Sequence, residues 1–275
     1  MGRKRSALRG RGLDFIELRD YRPGDDIRSM DWRVSNRTRK PHVRIYAEEK
    51  DRPVMLVIDQ RISMFFGSQW KTKSVTAAEL AAVAAWRVQD VGDRVGAIVF
   101  NDTEMEEYKP SRSRQMLLHV LSRITRFNRD LSVAERTRQG EPPAAITVEK
   151  VLRATERLVD HDYLVVFISD FAGWGDPALA SLKRIARHND VIAGLVFDPL
   201  ESDISSASQL VVSDGDYQLQ IDPDEDRLSD RFREVFDSSL GGLQDELRKH
   251  DVPVLPISTE EPVFDQLRSH LGVGV

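Results

Sequence analysis

The segment Val54-Met-Leu-Val-Ile-Asp-Gln-Arg-Ile-Ser63 decides the fold of this chain of 275 residues. Residues 54–58 are continuously apolar, which is typical of a parallel strand that is covered on both faces. Tyr163–Ser169 and Val191–Phe197 have the same character. The stretch 71–90, which follows the first of these strands, is rich in alanine and predicts a helix whose small side chains let it lie close against a sheet.

Strand and helix patterns alternate along the rest of the chain. Strands are predicted at 42–50, 104–108 and 252–257, a turn followed by a strand at 92–100, helices at 112–124, 147–159, 177–188, 226–249 and 262–271, and a hairpin at 209–212 and 217–221. We expect the helix 226–249 to break at Gly241-Gly242, and residues 127–145 to be an exposed loop. This alternation predicts an α/β fold with a doubly wound, mostly parallel sheet between two layers of helices.

Composition divides the chain into three parts. Residues 1–11 are rich in Arg, Lys, Gly and Ser and predict a flexible basic N-terminus. Residues 12–50 are expected to form an appended β-rich module, and residues 51–275 the α/β domain. Residues 1–46 carry 13 Lys or Arg against 6 Asp or Glu, whereas residues 213–226 carry six acidic residues and no basic one. The basic arm therefore suits an acidic surface, and its interleaved carboxylates argue against nucleic acid as a partner.

Some classes of protein are excluded by residue content. The chain has no cysteine, so it has no disulfide, thiolate metal site or cysteine nucleophile. No segment approaches the roughly 18 apolar residues that a membrane-spanning helix needs. The basic start Met1–Arg5 is not followed by an apolar stretch, so we expect neither a secretory signal nor membrane insertion and place the protein in the cytoplasm.

The segment from Gly12 to Arg33 is dense in charge but carries regularly spaced apolar residues, namely Phe15, Leu18, Tyr21, Ile27, Met30 and Trp32. Together with Arg37-Thr38 and Glu48-Glu49, it resembles the opening signature of the domain-of-unknown-function 58 (DUF58) family. The resemblance implies a von Willebrand factor A-like domain and an association with MoxR-type AAA+ ATPases. We expect Trp32 to be a core anchor of this segment.

A von Willebrand A-like domain carries Asp-x-Ser-x-Ser after its first strand, where a divalent cation is held with the help of a Thr and an Asp from later loops. In this chain Asp59 and Ser63 match the ends of that pattern, Arg61 replaces the first Ser, and Asp170 matches the later Asp. The Thr position aligns near Ile146, and a shift of one residue would bring in Thr147. The resemblance therefore implies a degenerate metal-ion-dependent adhesion site.

Three interpretations of this site remain open. Mg²⁺ binds weakly through Asp59, Ser63 and Asp170, or Arg61 replaces the metal by bridging Asp59 and Asp170, or Asp59 only caps the loop that follows it. Trp174 lies in the short segment Phe171–Gly175 after Asp170 and would border the same face. An exposed Trp174 would suit a protein contact, and packing against its own sheet is the alternative.

Taken together, these features predict a non-enzymatic interaction adaptor, or chaperone-like partner, of a MoxR-type AAA+ ATPase that also contacts a protein client. Asp59, Arg61, Ser63, Asp170 and Trp174 are its expected binding residues. The alternative is a Mg²⁺-dependent nuclease-like hydrolase, because the N-terminal part contains an acidic cluster with a nearby lysine, namely Asp25, Asp26, Glu48 and Lys50. A turn at Pro23–Asp26, whose side chains bond their own backbone, also explains the first two of these residues.

Overall fold

The computed structural model describes residues 13–23, 25, 29–48, 52–131, 146–202, 210–213, 218–221, 234, 238 and 241–272. The predicted flexible segment 1–11 and most of the predicted loop 127–145 lie outside these residues. The chain divides into two compact units, Met1–Asp51 and Arg52–Val275. Within the described residues, no helix combines the length and the apolarity needed to cross a bilayer.

The first unit contains an antiparallel strand pair and a short helix. β1 (Leu13–Asp20) pairs with β2 (His42–Glu48), and α1 (Trp32–Thr38) lies between them in the chain. Asp31 caps this helix by accepting hydrogen bonds from the backbone N–H groups of Arg33 and Val34. The expectation that Trp32 is a core anchor is wrong, since its side chain is 67% exposed. Trp32 is the first residue of a helix that buries none of its residues, whereas the cap that precedes it, Asp31, is buried.

The second unit is built on a six-stranded sheet. Its strands are β3 (Val54–Asp59), β4 (Val95–Phe100), β5 (Met105–Ser111), β6 (Leu164–Ser169), β7 (Asp190–Phe197) and β10 (Val254–Ser258). They lie in the order β10-β7-β6-β3-β4-β5, and only the edge strand β5 is antiparallel to its neighbour. Every residue of β3 and β4 is buried, as expected of strands that are covered on both faces. The predicted doubly wound α/β fold is confirmed.

Helices cover both faces of this sheet. They are α2 (Lys73–Val91), α3 (Arg114–Asp130), α4 (Val148–Leu158), α5 (Asp176–Ala186), α6 (Pro199–Ser202) and α7 (Val263–Leu271). Successive residues of a strand point to opposite faces. Met55 and Val57 accordingly belong to one apolar core with α4 and α5, and Leu56 and Ile58 belong to the other with α2 and α3. Each core thus holds its layer of helices against β3.

One expectation about the connections is corrected. The loop predicted from residue 127 begins later, because α3 continues to Asp130 and buries Phe127 in the core. Gly241 and Gly242 are helical, in residues 241–248, but residues 239 and 240 lie outside the described residues, so the predicted break at these glycines stays a prediction. The predicted hairpin is confirmed as β8 (Leu210–Ser213) and β9 (Gln218–Ile221), which pair antiparallel.

Candidate functional site

The strand order reverses at β3. The chain leaves β3 for β4 on one side, and later places β6 on the other side. In open sheets of this kind, ligands bind beyond the carboxyl ends of the strands at the point of reversal. Asp59 is the last residue of β3, and Ser169-Asp170 ends β6 and begins the next loop. The structure thus brings together the two carboxylates that the sequence analysis singled out.

The Asp59 carboxylate is fully buried and is bound by the Arg61 guanidinium. Arg61 Nε lies 3.0 Å from both carboxylate oxygens, and Nη2 lies 2.6 Å from Oδ2. The backbone N–H of Arg61 also donates to Oδ1 at 2.9 Å, and the Ser169 hydroxyl donates to Oδ2 at 2.7 Å. Asp59 therefore both caps the following loop and forms an ion pair with Arg61.

Arg61 also reaches toward the loop that follows β6. Nη2 donates to the backbone carbonyl of Ala172 at 3.2 Å and lies 3.9 Å from Asp170 Oδ1. The second distance is that of an ion pair without a hydrogen bond. Among the described residues, Nη1 has no hydrogen-bond partner. The guanidinium thus occupies the space between the two carboxylates and keeps both N–H bonds of Nη1 unused.

The pKa shifts of this pair follow from its burial. Burial raises the pKa of Asp59, and the hydrogen bonds and charge of Arg61 oppose the rise. Burial alone would lower the pKa of Arg61, but the Asp59 hydrogen bond and the charges of Asp59 and Asp170 raise it above its usual value. Arg61 therefore remains a fixed positive charge at the end of β3.

A second buried cation, Lys73, lies beside Asp170. Lys73 is the first residue of α2, and its Nζ lies 3.0 Å from Asp170 Oδ2 and 2.5 Å from Glu201 Oε1. Burial alone would lower the pKa of Lys73, but the charges of Asp170 and Glu201 raise it. Each of the two predicted carboxylates thus has its own cation, Arg61 for Asp59 and Lys73 for Asp170.

A third carboxylate, Asp198, follows β7 and is fully buried. It accepts hydrogen bonds from the backbone N–H of Ser68 at 2.9 Å, the hydroxyl of Thr259 at 2.6 Å and the backbone N–H of Leu200 at 3.0 Å. Burial alone would raise the pKa of Asp198, but these hydrogen bonds lower it. Sequence reasoning missed Asp198, although it directly follows a buried strand, as Asp59 and Asp170 do.

The remaining predicted metal positions lie in loops near the end of β3. Ser63 lies in a 3₁₀ turn, Ile62–Met64, and its Oγ is buried without a hydrogen-bond partner. The Thr147 hydroxyl caps α4 by accepting from the backbone N–H of Lys150. Ile146 donates its backbone N–H to the Asp102 carbonyl, and the Asp102 carboxylate accepts from the backbone N–H of Ile62 at 2.7 Å. Asp102 thus ties the two loops together.

The donor set does not fit a divalent cation in this arrangement. Arg61 and Ser169 occupy the oxygens of Asp59, and Lys73 occupies one oxygen of Asp170. A fixed cation beside these oxygens repels a second positive charge. The described residues contain no group of three or more His, Cys, Asp or Glu side chains that could hold a metal ion. Among the predicted ligands in the described residues, the Ser63 hydroxyl is the one without a hydrogen-bond partner.

Trp174 packs mainly against its own domain. Its ring meets Phe167 edge-on with centroids 5.5 Å apart, and Phe171 at 4.7 Å in a tilted arrangement. The loop turns sharply before it, with positive φ angles at Phe171 (56°) and Gly173 (75°). Trp174 Nε1 is buried and has no hydrogen-bond partner among the described residues. The half-buried ring therefore forms part of a wall next to Asp170.

The N-terminal acidic cluster is described only in part. Asp25 accepts two hydrogen bonds from the Arg19 guanidinium at 2.8–2.9 Å and one from the backbone N–H of Arg22. These bonds lower the pKa of Asp25. Asp26 and Lys50 and the side chain of Glu48 lie outside the described residues. Asp25 is thus part of an ion pair and a turn.

Comparisons with known proteins place the chain in a family. Residues 17–240 match the model of "Protein of unknown function DUF58". The chain belongs to the DUF58 family. DUF58 relatives include "Uncharacterized protein Rv1480" of Mycobacterium tuberculosis and "Uncharacterized protein Mb1516" of Mycobacterium bovis. Each is 30% identical over 258 residues, which are 91% of this chain and 76% of the relative.

Solved structures similar to this DUF58 chain are more distant. BatB from Bacteroides thetaiotaomicron has a TM-score of 0.48 at 13% identity and covers 80% of this chain and 96% of its own. The SpRpn10 VWA domain has a TM-score of 0.41 at 10% identity, with coverages of 79% and 94%. Because both TM-scores are below 0.5, the family assignment comes from the family model and the sequence relatives.

Proposed function

We propose that this DUF58 protein is a non-enzymatic interaction adaptor that works with a MoxR-type AAA+ ATPase in the cytoplasm and contacts a protein client. The resemblance of the 12–33 segment and the family membership support the choice of partner. The expected contact is the strand-end face formed by Asp59, Arg61, Ser63, Asp170 and Trp174.

The observation that carries this proposal is the Arg61 guanidinium at the end of β3. It lies at the point where ligands bind in a doubly wound sheet, it is held by Asp59, and its Nη1 is unused. An arginine in such a fixed position recognises a carboxylate through charge-assisted hydrogen bonds from Nη1, because Nε and Nη2 are already bonded to Asp59 and to the Ala172 carbonyl. A partner's Asp or Glu side chain then binds the guanidinium directly, with Arg61 in the place of a metal ion.

Binding of the ATPase is tested with purified proteins by biolayer interferometry in ATP and Mg²⁺. The test variant is Asp59→Asn/Arg61→Gln, which removes both charges with little change in size. The matched control is Arg87→Gln, an exposed arginine near the C-terminal end of α2 whose pair with Asp90 is at the surface. We expect the double variant to bind at least about tenfold more weakly, which corresponds to roughly 1.4 kcal/mol, and the control to bind like wild type.

Two results would overturn parts of the proposal. If wild type does not bind the ATPase, the proposed partner is wrong. If the double variant binds the ATPase as tightly as wild type does, the strand-end face is not the contact. Metal is tested separately by calorimetric titration of Mg²⁺ into the chain alone. We expect no binding heat from wild type, and saturable binding there would reinstate the metal site.

A further inference from the structure

A cavity of about 870 Å³ opens beside the strand-end face. It lies among the loop that follows β6, the end of β7 and the helical residues 242–246. Apolar side chains form much of its wall, among them Phe171, Trp174, Leu179, Leu195 and Leu243. A volume of this size accommodates a small molecule or one or two residues of a peptide.

The charged lining of the cavity is mostly acidic. Among the described residues, it consists of Asp170, Asp176, Glu201 and Glu246, against the cation Lys73. Glu246 forms ion pairs with two cations that do not line the cavity, Lys183 and Lys249, so these three groups together carry one positive charge. Lys73 is shared between Asp170 and Glu201, so that this trio retains a negative charge.

Asp176 adds a second uncompensated charge to the cavity. It is exposed and makes no ion pair with another described residue. A cavity with apolar walls and net negative charge is complementary to a cation that has an apolar stem.

Trp174 narrows the class of ligand. The aromatic ring offers a face to a cation, and arginine is the side chain that most often uses such a face. A cation and an apolar stem occur together in the arginine side chain of a polypeptide.

We propose that this cavity binds an arginine side chain from an extended segment of a partner protein, with its guanidinium at Asp176 and Glu201 and its stem against Trp174. This inference rests on the proposed function, because its ligand is a protein. The cavity adjoins the strand-end face, shares Asp170 and Trp174 with it, and has the opposite charge preference: the cavity takes a cation, whereas Arg61 takes a carboxylate.

The test uses the peptide acetyl-Ala-Ala-Arg-Ala-Ala-amide and the same peptide with citrulline, which has the shape of arginine without its charge. Binding to the full chain is followed by NMR chemical-shift changes. We expect the arginine peptide to bind at least about tenfold more tightly than the citrulline peptide. Asp176→Asn and Glu201→Gln should each weaken the arginine peptide about three- to tenfold.

The matched control is Asp265→Asn, because Asp265 is an exposed acid in the first turn of α7, as Asp176 is in the first turn of α5, and it does not line the cavity. Equal affinity for the two peptides, no binding of the arginine peptide up to about 10 mM, or equal losses in Asp176→Asn and Asp265→Asn would each overturn the inference.

The two proposals fail separately. Arginine-peptide binding without ATPase binding refutes the adaptor's partner and leaves the cavity assignment standing. If ATPase binding depends on Arg61 but the chain does not prefer the arginine peptide over the citrulline peptide, the cavity assignment is refuted and the adaptor proposal stands.

Discussion

The Asp59–Arg61 pair makes a prediction about stability that can be worked out from its geometry. The Asp59 side chain is 0% exposed and that of Arg61 is 13% exposed. Removing one partner of a buried ion pair costs about 3–5 kcal/mol, because the other charge stays buried without compensation. Since the guanidinium keeps some contact with water, we expect Arg61→Ala to lower the free energy of unfolding by about 3 kcal/mol.

This loss should depend on pH in a definite direction. Without the guanidinium, the strongest opposition to the rise that burial causes in the pKa of Asp59, whose ordinary value is 3.8, is lost, and the hydrogen bonds from the Ser169 hydroxyl and the backbone N–H of residue 61 remain. Between that value and the raised folded-state pKa, the folded variant keeps a proton that the unfolded chain releases. Its stability therefore falls with rising pH by about 1.4 kcal/mol per unit. The deficit relative to wild type should be larger at pH 7 than at pH 5.

Urea denaturation followed by far-UV circular dichroism at pH 5, 6 and 7 measures this effect. Arg87→Ala serves as the surface control and should change the free energy of unfolding by no more than about 0.5 kcal/mol. The double variant Asp59→Asn/Arg61→Ala should recover more than half of the loss, because a carboxamide needs no counter-charge. A loss below about 1 kcal/mol at every pH, or a double variant no more stable than Arg61→Ala, would refute the reasoning.

Three further predictions concern the same unit and are read by the same denaturation assay. Lys73→Met should lower the free energy of unfolding by about 3 kcal/mol at pH 7. Because the pKa of Lys73 is raised above 10.5, the stabilisation that Lys73 gives to wild type should persist below pH 10.5 and be lost only at higher pH. Asp198→Asn should lower the free energy of unfolding by about 2 kcal/mol at pH 7. Because the pKa of Asp198 in the folded protein is lowered from 3.8, the difference in stability between the variant and wild type should disappear only below about pH 4. Gly96→Ala should cost about 1–3 kcal/mol, because a Cβ at this irregularity of the β4–β5 pair would lie 2.7 Å from the Tyr108 carbonyl oxygen. The Lys73 argument is wrong if Lys73→Met loses stability between pH 10 and 12 as wild type does. The Asp198 argument is wrong if the deficit of Asp198→Asn does not depend on pH. The Gly96 argument is wrong if Gly96→Ala is as stable as wild type.

The sheet could be predicted because its signals are local. An apolar run such as residues 54–58 indicates a buried strand without reference to any other part of the chain. Once the strands are identified, the sequence also predicts that Asp59 and Asp170 lie near each other, because the carboxyl ends of parallel strands meet at one edge of the sheet. The Asp59–Arg61 contact is also local, because an aspartate readily accepts the backbone N–H two residues further on.

The rest of the site depends on contacts between distant parts of the chain. Lys73 meets Asp170 across 97 residues and Glu201 across 128 residues, so no periodicity near Lys73 indicates its partners. Asp198 satisfies the strand-end rule, but the family pattern has no carboxylate at that place. Trp32 shows the opposite error, since regular apolar spacing indicated burial where a short helix leaves its first residue in water.

The Arg61 guanidinium at the end of β3 determines how the positive charge of this site is supplied. A charge that belongs to a side chain is made with the polypeptide, in a fixed ratio of one for each molecule, and chelators or a shortage of ions do not remove it. If partners bind there as proposed, cells control this contact through the amount of protein that they synthesise and the carboxylates that compete for it.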